Sequence, residues 1–193
     1  ASVKFVDFGV LVIGASEGDG LGNKFLAHIR EVDAITMVLR DFSDENIIRS
    51  GSVNPQSDYE VLLAELILAD MQTLEKIKDN RKDKDRAELA ARISAELAKG
   101  QKVSDLSFAD KEKPLVKQMS LLTSKPILKV ANVDEDKLQG EEIRISAKME
   151  AELAGLSAPE QQEYLSSLGL AHSGLETLVQ QAYKILGLQT FLT

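Results

Sequence analysis

Apolar residues recur at helical spacing from Leu21 through Phe25 and Ile29 to Val32, then close up into the run Ala34-Ile35-Thr36-Met37-Val38-Leu39. The first pattern predicts a helix with one apolar face. The second, short and rich in β-branched residues, predicts a strand buried on both faces. Ahead of them, Val3-Lys4-Phe5-Val6-Asp7-Phe8 reads as another strand. Strand, helix and strand within about forty residues mark a parallel α/β sheet.

Farther on the period lengthens into helices. Beyond Asn54-Pro55, the residues Tyr59, Leu62, Leu63, Leu66, Ile67, Leu74 and Ile77 trace one face of a long helix, with Ser57 or Asp58 as its expected cap. The charged stretch from Asp79 to Asp85 interrupts it, and Leu89, Ile93 and Leu97 resume the pattern, with Ala87, Ala91 and Ala95 beside them. Two amphipathic helices joined by a short polar turn make an antiparallel hairpin. Its first arm would reach roughly 30 Å, long enough to suggest a projection. A further helix is expected near Lys113–Leu122, then strands at Pro126–Ala131 and Ile143–Ser146, a helix from Lys148, and helices at 158–168 and 173–187. In the last of these, Leu175, Leu178, Ala182 and Ile185 are expected to face inward, with Ser173 capping the start beside His172.

The 193 residues suit one domain carrying an insertion, and 44% hydrophobic content supports a core. No apolar run is long enough to span a bilayer. The chain opens on Ala1-Ser2-Val3-Lys4 without a signal peptide or an initiator Met, so a preceding segment is expected. The absence of Cys excludes disulfides and thiolate zinc sites and fits a cytoplasmic protein. Two His make a histidine-based metal centre improbable, and a net charge of −8 argues against broad attraction to nucleic acid. No sequence-specific DNA binding is expected. His28 reads as a surface histidine, the charges at 79–88 as a solvated tip, and Asp44 and Glu45 as loop residues.

The run from Gly14 to Leu26 holds Gly14, Gly18, Gly20 and Gly22 ahead of the first helix. Glycine there allows close backbone approach to a ligand, though an ordinary flexible connection fits equally well. A nicotinamide fingerprint is rejected on spacing, since Gly18, Gly20 and Gly22 give G-x-G-x-G and begin well after the expected strand ends. A second constellation is Asn132-Val133-Asp134-Glu135, at the carboxyl end of one strand, with Ser146-Ala147-Lys148 at the end of the next. Ligands of open α/β sheets lie just beyond such ends. An amide and a carboxylate can pair with the edges of a base, and a lysine stem can cover its face.

These elements resemble the Obg-like ATPases of the YchF type, within the translation-factor class of P-loop NTPases. The resemblance rests on Val6-Asp7, Leu11-Val12, Gly14-Ala15-Ser16, the stretch Gly20 to Leu26, Asp44 to Ile48, Glu65 to Asp70, Asn132 to Glu135, and Leu186-Gly187-Leu188, and it extends over nearly the whole chain. It implies an incomplete, Ras-like three-layer α/β fold with an inserted antiparallel coiled-coil hairpin. The nucleotide-binding domain would comprise 1–55 and 123–193, and the insertion 56–122. Asp7 would hold Mg²⁺ through water, as the cofactor of bound ATP. Leu11 would stand where many GTPases carry a catalytic Gln, with Val10 in place of the switch glycine whose N–H meets the γ-phosphate. Gly14, Gly18, Gly20 and Gly22 would form the switch loop. Asn132, Val133 and Glu135 would read the base through N-x-x-E, associated with preferring ATP over GTP, and Ser146, Ala147 and Lys148 would complete the pocket. The implied partner is the ribosome.

The departures are specific. No G-x-x-x-x-G-K-[ST] occurs, so the phosphate-cradling loop, its Lys and its Ser/Thr are missing, as are the first switch and the family's β-rich C-terminal domain. A helix expected between Asn132 and Ser146 has also gone. The sequence therefore reads as a fragment or truncated relative that binds nucleotide weakly and turns it over negligibly. The alternative is a non-enzymatic module that docks a ribosomal or protein partner through the hairpin.

Overall fold

The computed structural model describes residues 2–7, 21–43, 54–79, 83–140 and 142–188. They resolve into two compact units, one comprising Ala1–Lys4, Thr36–Tyr59 and Ile127–Thr193, the other Phe5–Ile35 and Glu60–Pro126. The helices of the expected insertion thus group with residues 5–35.

The first unit is built on a three-stranded sheet of order β1-β2-β3, with β1 at Ile35–Asp41, β2 at Ile127–Val133 and β3 at Ile143–Ile145. Strands β2 and β3 run parallel, with Val130 opposite Ile143 and Asn132 opposite Ile145. Val130, Ala131 and Val133 are buried, as a central strand requires. The edge strand β1 corrects the expectation of burial on both faces: Met37 and Leu39 are buried, whereas Val38 between them is 63% exposed. A continuous apolar run fixes the strand but not how many of its faces are covered.

The connection from β2 to β3 is only residues 134–142, holding a 3₁₀ turn at Glu135–Lys137 and no α-helix among its described residues. Parallel neighbours are ordinarily joined by a dozen residues or more. Arg144 braces this short crossover by donating from its guanidinium to the Lys137 carbonyl at 2.9 Å. Gly140 makes room for it, since a Cβ there would stand 2.5 Å from Arg144 Nε.

Three helices follow in this unit: α5 (Ala147–Leu153), α6 (Ala158–Ser167) and α7 (Gly174–Ile185). Ser157 with Glu160, and Ser173 with Glu176, form reciprocal capping boxes at α6 and α7. Met149, Leu153 and Leu165 form a small core with Leu156, Tyr164 and Leu170 packed on it. In α7, Ala182 is buried as expected, but Leu175 is 51% exposed and does not face inward. Position 175 lies in the first helical turn, where Glu150 receives the backbone rather than the side chain: Gly174 and Leu175 both donate their N–H to Glu150 Oε1, at 2.7 and 3.3 Å.

The second unit is helical. It contains α1 (Leu21–Glu31), most of α2 (Pro55–Lys78), α3 (Lys84–Leu97) and α4 (Lys113–Met119). Asn54 caps α2, accepting the Ser57 N–H at 3.0 Å, with Pro55 as first helical residue. The cap therefore precedes the expected Ser57 or Asp58, because Pro55 gives up no intrahelical bond and starts the helix earlier. Asp83 caps α3 by accepting the Arg86 N–H. Leu74, Leu89, Ile93 and Leu97 share a core with Val103, Met119 and Leu121. Ala90, rather than the three alanines of the periodic reading, completes the buried face of α3. Residues 2–7 form no strand, and Phe5 and Val6 are about half exposed. A strand needs a neighbouring edge to receive its hydrogen bonds, and apolar composition alone does not supply one.

Candidate functional site

The carboxyl ends of all three strands carry polar residues whose side chains are already engaged with one another. Asn132 is the penultimate residue of β2 and pairs in register with Ile145, so its side chain reaches the turn that leaves β3. There Asn132 Oδ1 accepts the Ala147 N–H at 3.1 Å. The same turn is fixed from inside by Ser146, only 2% exposed, whose Oγ caps α5 by accepting the Met149 N–H. A buried serine at this cap closes off one unpaired donor of the helix start.

Glu135 follows two residues after the end of β2, and Lys148 lies in the first turn of α5. Lys148 Nζ stands 3.1 Å from Glu135 Oε1, although the lysine side chain is 77% exposed. Hydrogen bonding to Glu135 and its charge, with Glu152 adding to it, hold the Lys148 ammonium above its usual pKa. Tyr164 borders the cluster and donates to Glu152 at 3.3 Å; burial first, then the charges of Glu152 and Glu135, push its phenol upward.

Val133 is buried and supplies packing rather than a polar contact. Asp134, given no role by the resemblance, is the most heavily engaged residue of the group. It accepts the Ser43 N–H at 3.3 and 3.2 Å on its two oxygens and the Ser43 hydroxyl at 2.9 Å, and pairs with Lys137 at 3.2 Å. The Ser43 backbone and hydroxyl donors, with Lys137, hold its carboxyl below the usual range.

Six of the expected site residues are thus gathered in one unit: Asn132, Val133, Glu135, Ser146, Ala147 and Lys148. Asp7 belongs to the other unit, in a stretch without regular secondary structure. Val10, Leu11, Gly14, Gly18 and Gly20 lie outside the described residues, as do Asp44 and Glu45, and Gly22 falls in the first turn of α1. Ser43 was missed because its partner is 91 positions away, and no local pattern announces it. Among the described residues no three His, Cys, Asp or Glu side chains converge on a cation, so these residues do not build a metal site of their own. No described helix is long and apolar enough to cross a membrane.

No family model matches the chain. Individual relatives do. The ribosome-binding ATPase YchF of Bacillus subtilis (strain 168) is 42% identical over 219 residues, covering 98% of this chain and 60% of that protein. The protein of that name from Escherichia coli O157:H7 is 38% identical over 218 residues, covering the whole chain and 60% of its relative. The Mycoplasma genitalium counterpart is 36% identical over 224 residues, covering 98% and 60%. These alignments are longer than the chain's 193 residues, so the relatives carry internal segments without a counterpart here. The solved structure of the Schizosaccharomyces pombe YchF GTPase matches with a TM-score of 0.72 at 25% identity, over 88% of this chain and 54% of that one. The chain spans about three-fifths of the length of the curated relatives it matches. By sequence along nearly all of its residues, and by fold, it belongs to the Obg-like family of YchF type.

Proposed function

We propose that the protein binds and hydrolyses ATP, uses GTP less well, and associates with the ribosome in the cytoplasm, and that the ends of β2 and β3 read the base. The observation that carries this reading is the Asn132–Ala147 hydrogen bond, which joins the two base-reading motifs into one surface at the carboxyl ends of parallel strands. With Oδ1 occupied, the Asn132 Nδ2 is left to donate to a ring nitrogen of a purine. The Glu135 carboxylate accepts from an exocyclic amine, and the Lys148 stem lies against the ring. The relatives' names, ribosome-binding ATPase and GTPase, support the same class of activity.

Mg²⁺ would arrive with the nucleotide and neutralise its phosphates; the resemblance assigns its water-mediated contact to Asp7. Phosphoryl transfer depends on positioning and charge stabilisation around the phosphates. The 193 residues hold no G-x-x-x-x-G-K-[ST], so by themselves they bind weakly and turn over negligibly. Calorimetric titration of the chain with ATP and GTP, with phosphate release followed in parallel, tests this. Millimolar affinity for ATP, lost in Asn132→Ala, is expected; micromolar affinity with Mg²⁺-dependent turnover would overturn the expectation for this chain.

A second reading, a docking module without catalysis, is favoured by α2. Val61 and Leu68, seven positions apart on that helix, are both exposed. Replacing both by Ser discriminates the readings. Loss of ribosome co-sedimentation in a protein with no measurable nucleotide affinity would select the module.

A further inference from the structure

The bond set around Asp134 has no explanation in base contact. An aspartate just ahead of a helical turn ordinarily caps that turn with its own carboxylate. Asp134 occupies this position before the Glu135–Lys137 turn and makes no such bond. Both of its oxygens accept from Ser43, just beyond the end of β1, and one also meets Lys137. Its neighbour in sequence is Glu135, whose carboxylate is held in turn by Lys148.

Both purines offer donors to a carboxylate: adenine its N6 amine, guanine its N1–H and N2 amine. They lie at different places on the ring, so an acceptor discriminates between them only if its position is fixed. We infer that Ser43 and Asp134 form a clamp tying the end of β1 to the turn after β2, and that this clamp sets where Glu135 sits and hence which purine is preferred. The inference rests on the base-reading assignment made above. Asp134 and Ser43 are positioning residues, and neither touches the base.

The clamp acts on Glu135, whereas the Asn132–Ala147 bond lies on the β3 side of the site and does not involve it. Its loss therefore alters the ratio of ATP to GTP affinity more than the affinity itself. Ser43 is exposed, so Ser43→Ala leaves the core untouched; it keeps the backbone N–H bonds and loses the hydroxyl one. Asp134→Ala removes them all, and Ser43→Thr restores the hydroxyl.

The experiment is equilibrium titration of the full chain with ATP and with GTP, up to millimolar concentration, for wild type and these three variants, with thermal unfolding of each as control. The expected fall in the ATP-to-GTP preference is about threefold in Ser43→Ala and about tenfold in Asp134→Ala, with recovery in Ser43→Thr. An unchanged ratio in Ser43→Ala and Asp134→Ala, in a wild type that does bind, overturns the clamp and leaves the base-reading assignment standing. A wild-type chain that binds neither nucleotide overturns both.

Discussion

Two carboxylates, one in each unit, are held in opposite ways. In the helical unit, Asp70 of α2 is fully buried and accepts three hydrogen bonds, from the Leu122 N–H at 2.7 Å, the Thr123 N–H at 2.8 Å and the Thr123 hydroxyl at 2.7 Å. Lys125, two residues on, donates to the Arg30 carbonyl at 2.9 Å and to that of Val32, gripping the end of α1. Arg30 in turn donates to Thr73 of α2 at 3.0 Å. In the sheet unit, Asp134, Glu135 and Lys148 are paired at the surface and remain reachable from solvent. A buried, fully paired carboxylate fixes how elements pack, and its removal leaves donors stranded. A surface pair contributes little to stability and keeps its groups available for a ligand.

Substitution at Asp70 provides the severest test of that contrast. Asp70→Ala leaves three buried donors unpaired and should cost about 3 kcal/mol, read as a shift of the urea midpoint. Equal stability of the variant would remove the distinction between the units. Burial raises the Asp70 carboxyl above its ordinary 3.8 against the pull of Thr123, Leu122 and Arg30. The folded state then holds the proton more tightly than the unfolded one, so this group's contribution is complete below the unfolded value and declines as pH rises through the folded one. Measured from about pH 3 to about pH 7, wild type should lose stability relative to Asp70→Asn as pH rises, and not the reverse.

Next in size is Gly174→Ala, which asks whether the sheet unit is as tightly packed away from its site. A Cβ there would lie 2.7 Å from Ile145 Cγ1 and 3.0 Å from the Arg144 carbonyl, so the Ile145 side chain or α7 must shift. About 2 kcal/mol is expected, again from urea unfolding. The smallest effect on folding belongs to Lys148→Ala. Its unfolding midpoint should stay at the wild-type value while ATP affinity drops several-fold, and a midpoint shift without an affinity change would show the pair to be structural.

Much of this could be read before any coordinates. The period of Leu89, Ile93 and Leu97 placed α3, and Ser173 marked the start of α7, because capping and amphipathic spacing are properties of neighbouring residues. Val3–Asp7 looked like part of a strand and form none, and Val38 looked buried and is exposed, because both depend on what lies alongside. Asp70 carried one overlooked signal, a lone carboxylate inside the apolar run Leu66-Ile67-Leu68-Ala69-Asp70-Met71.

What the sequence settled alone is local: which segments coil, where helices begin, and which short motifs of base-reading type are present. Their meeting was decided in three dimensions. Register between β2 and β3 put Asn132 against Ala147, and the end of β1 brought Ser43 to Asp134. Hydrogen bonds across 15 and 91 positions depend on how strands align and end, and spacing along the chain does not encode that.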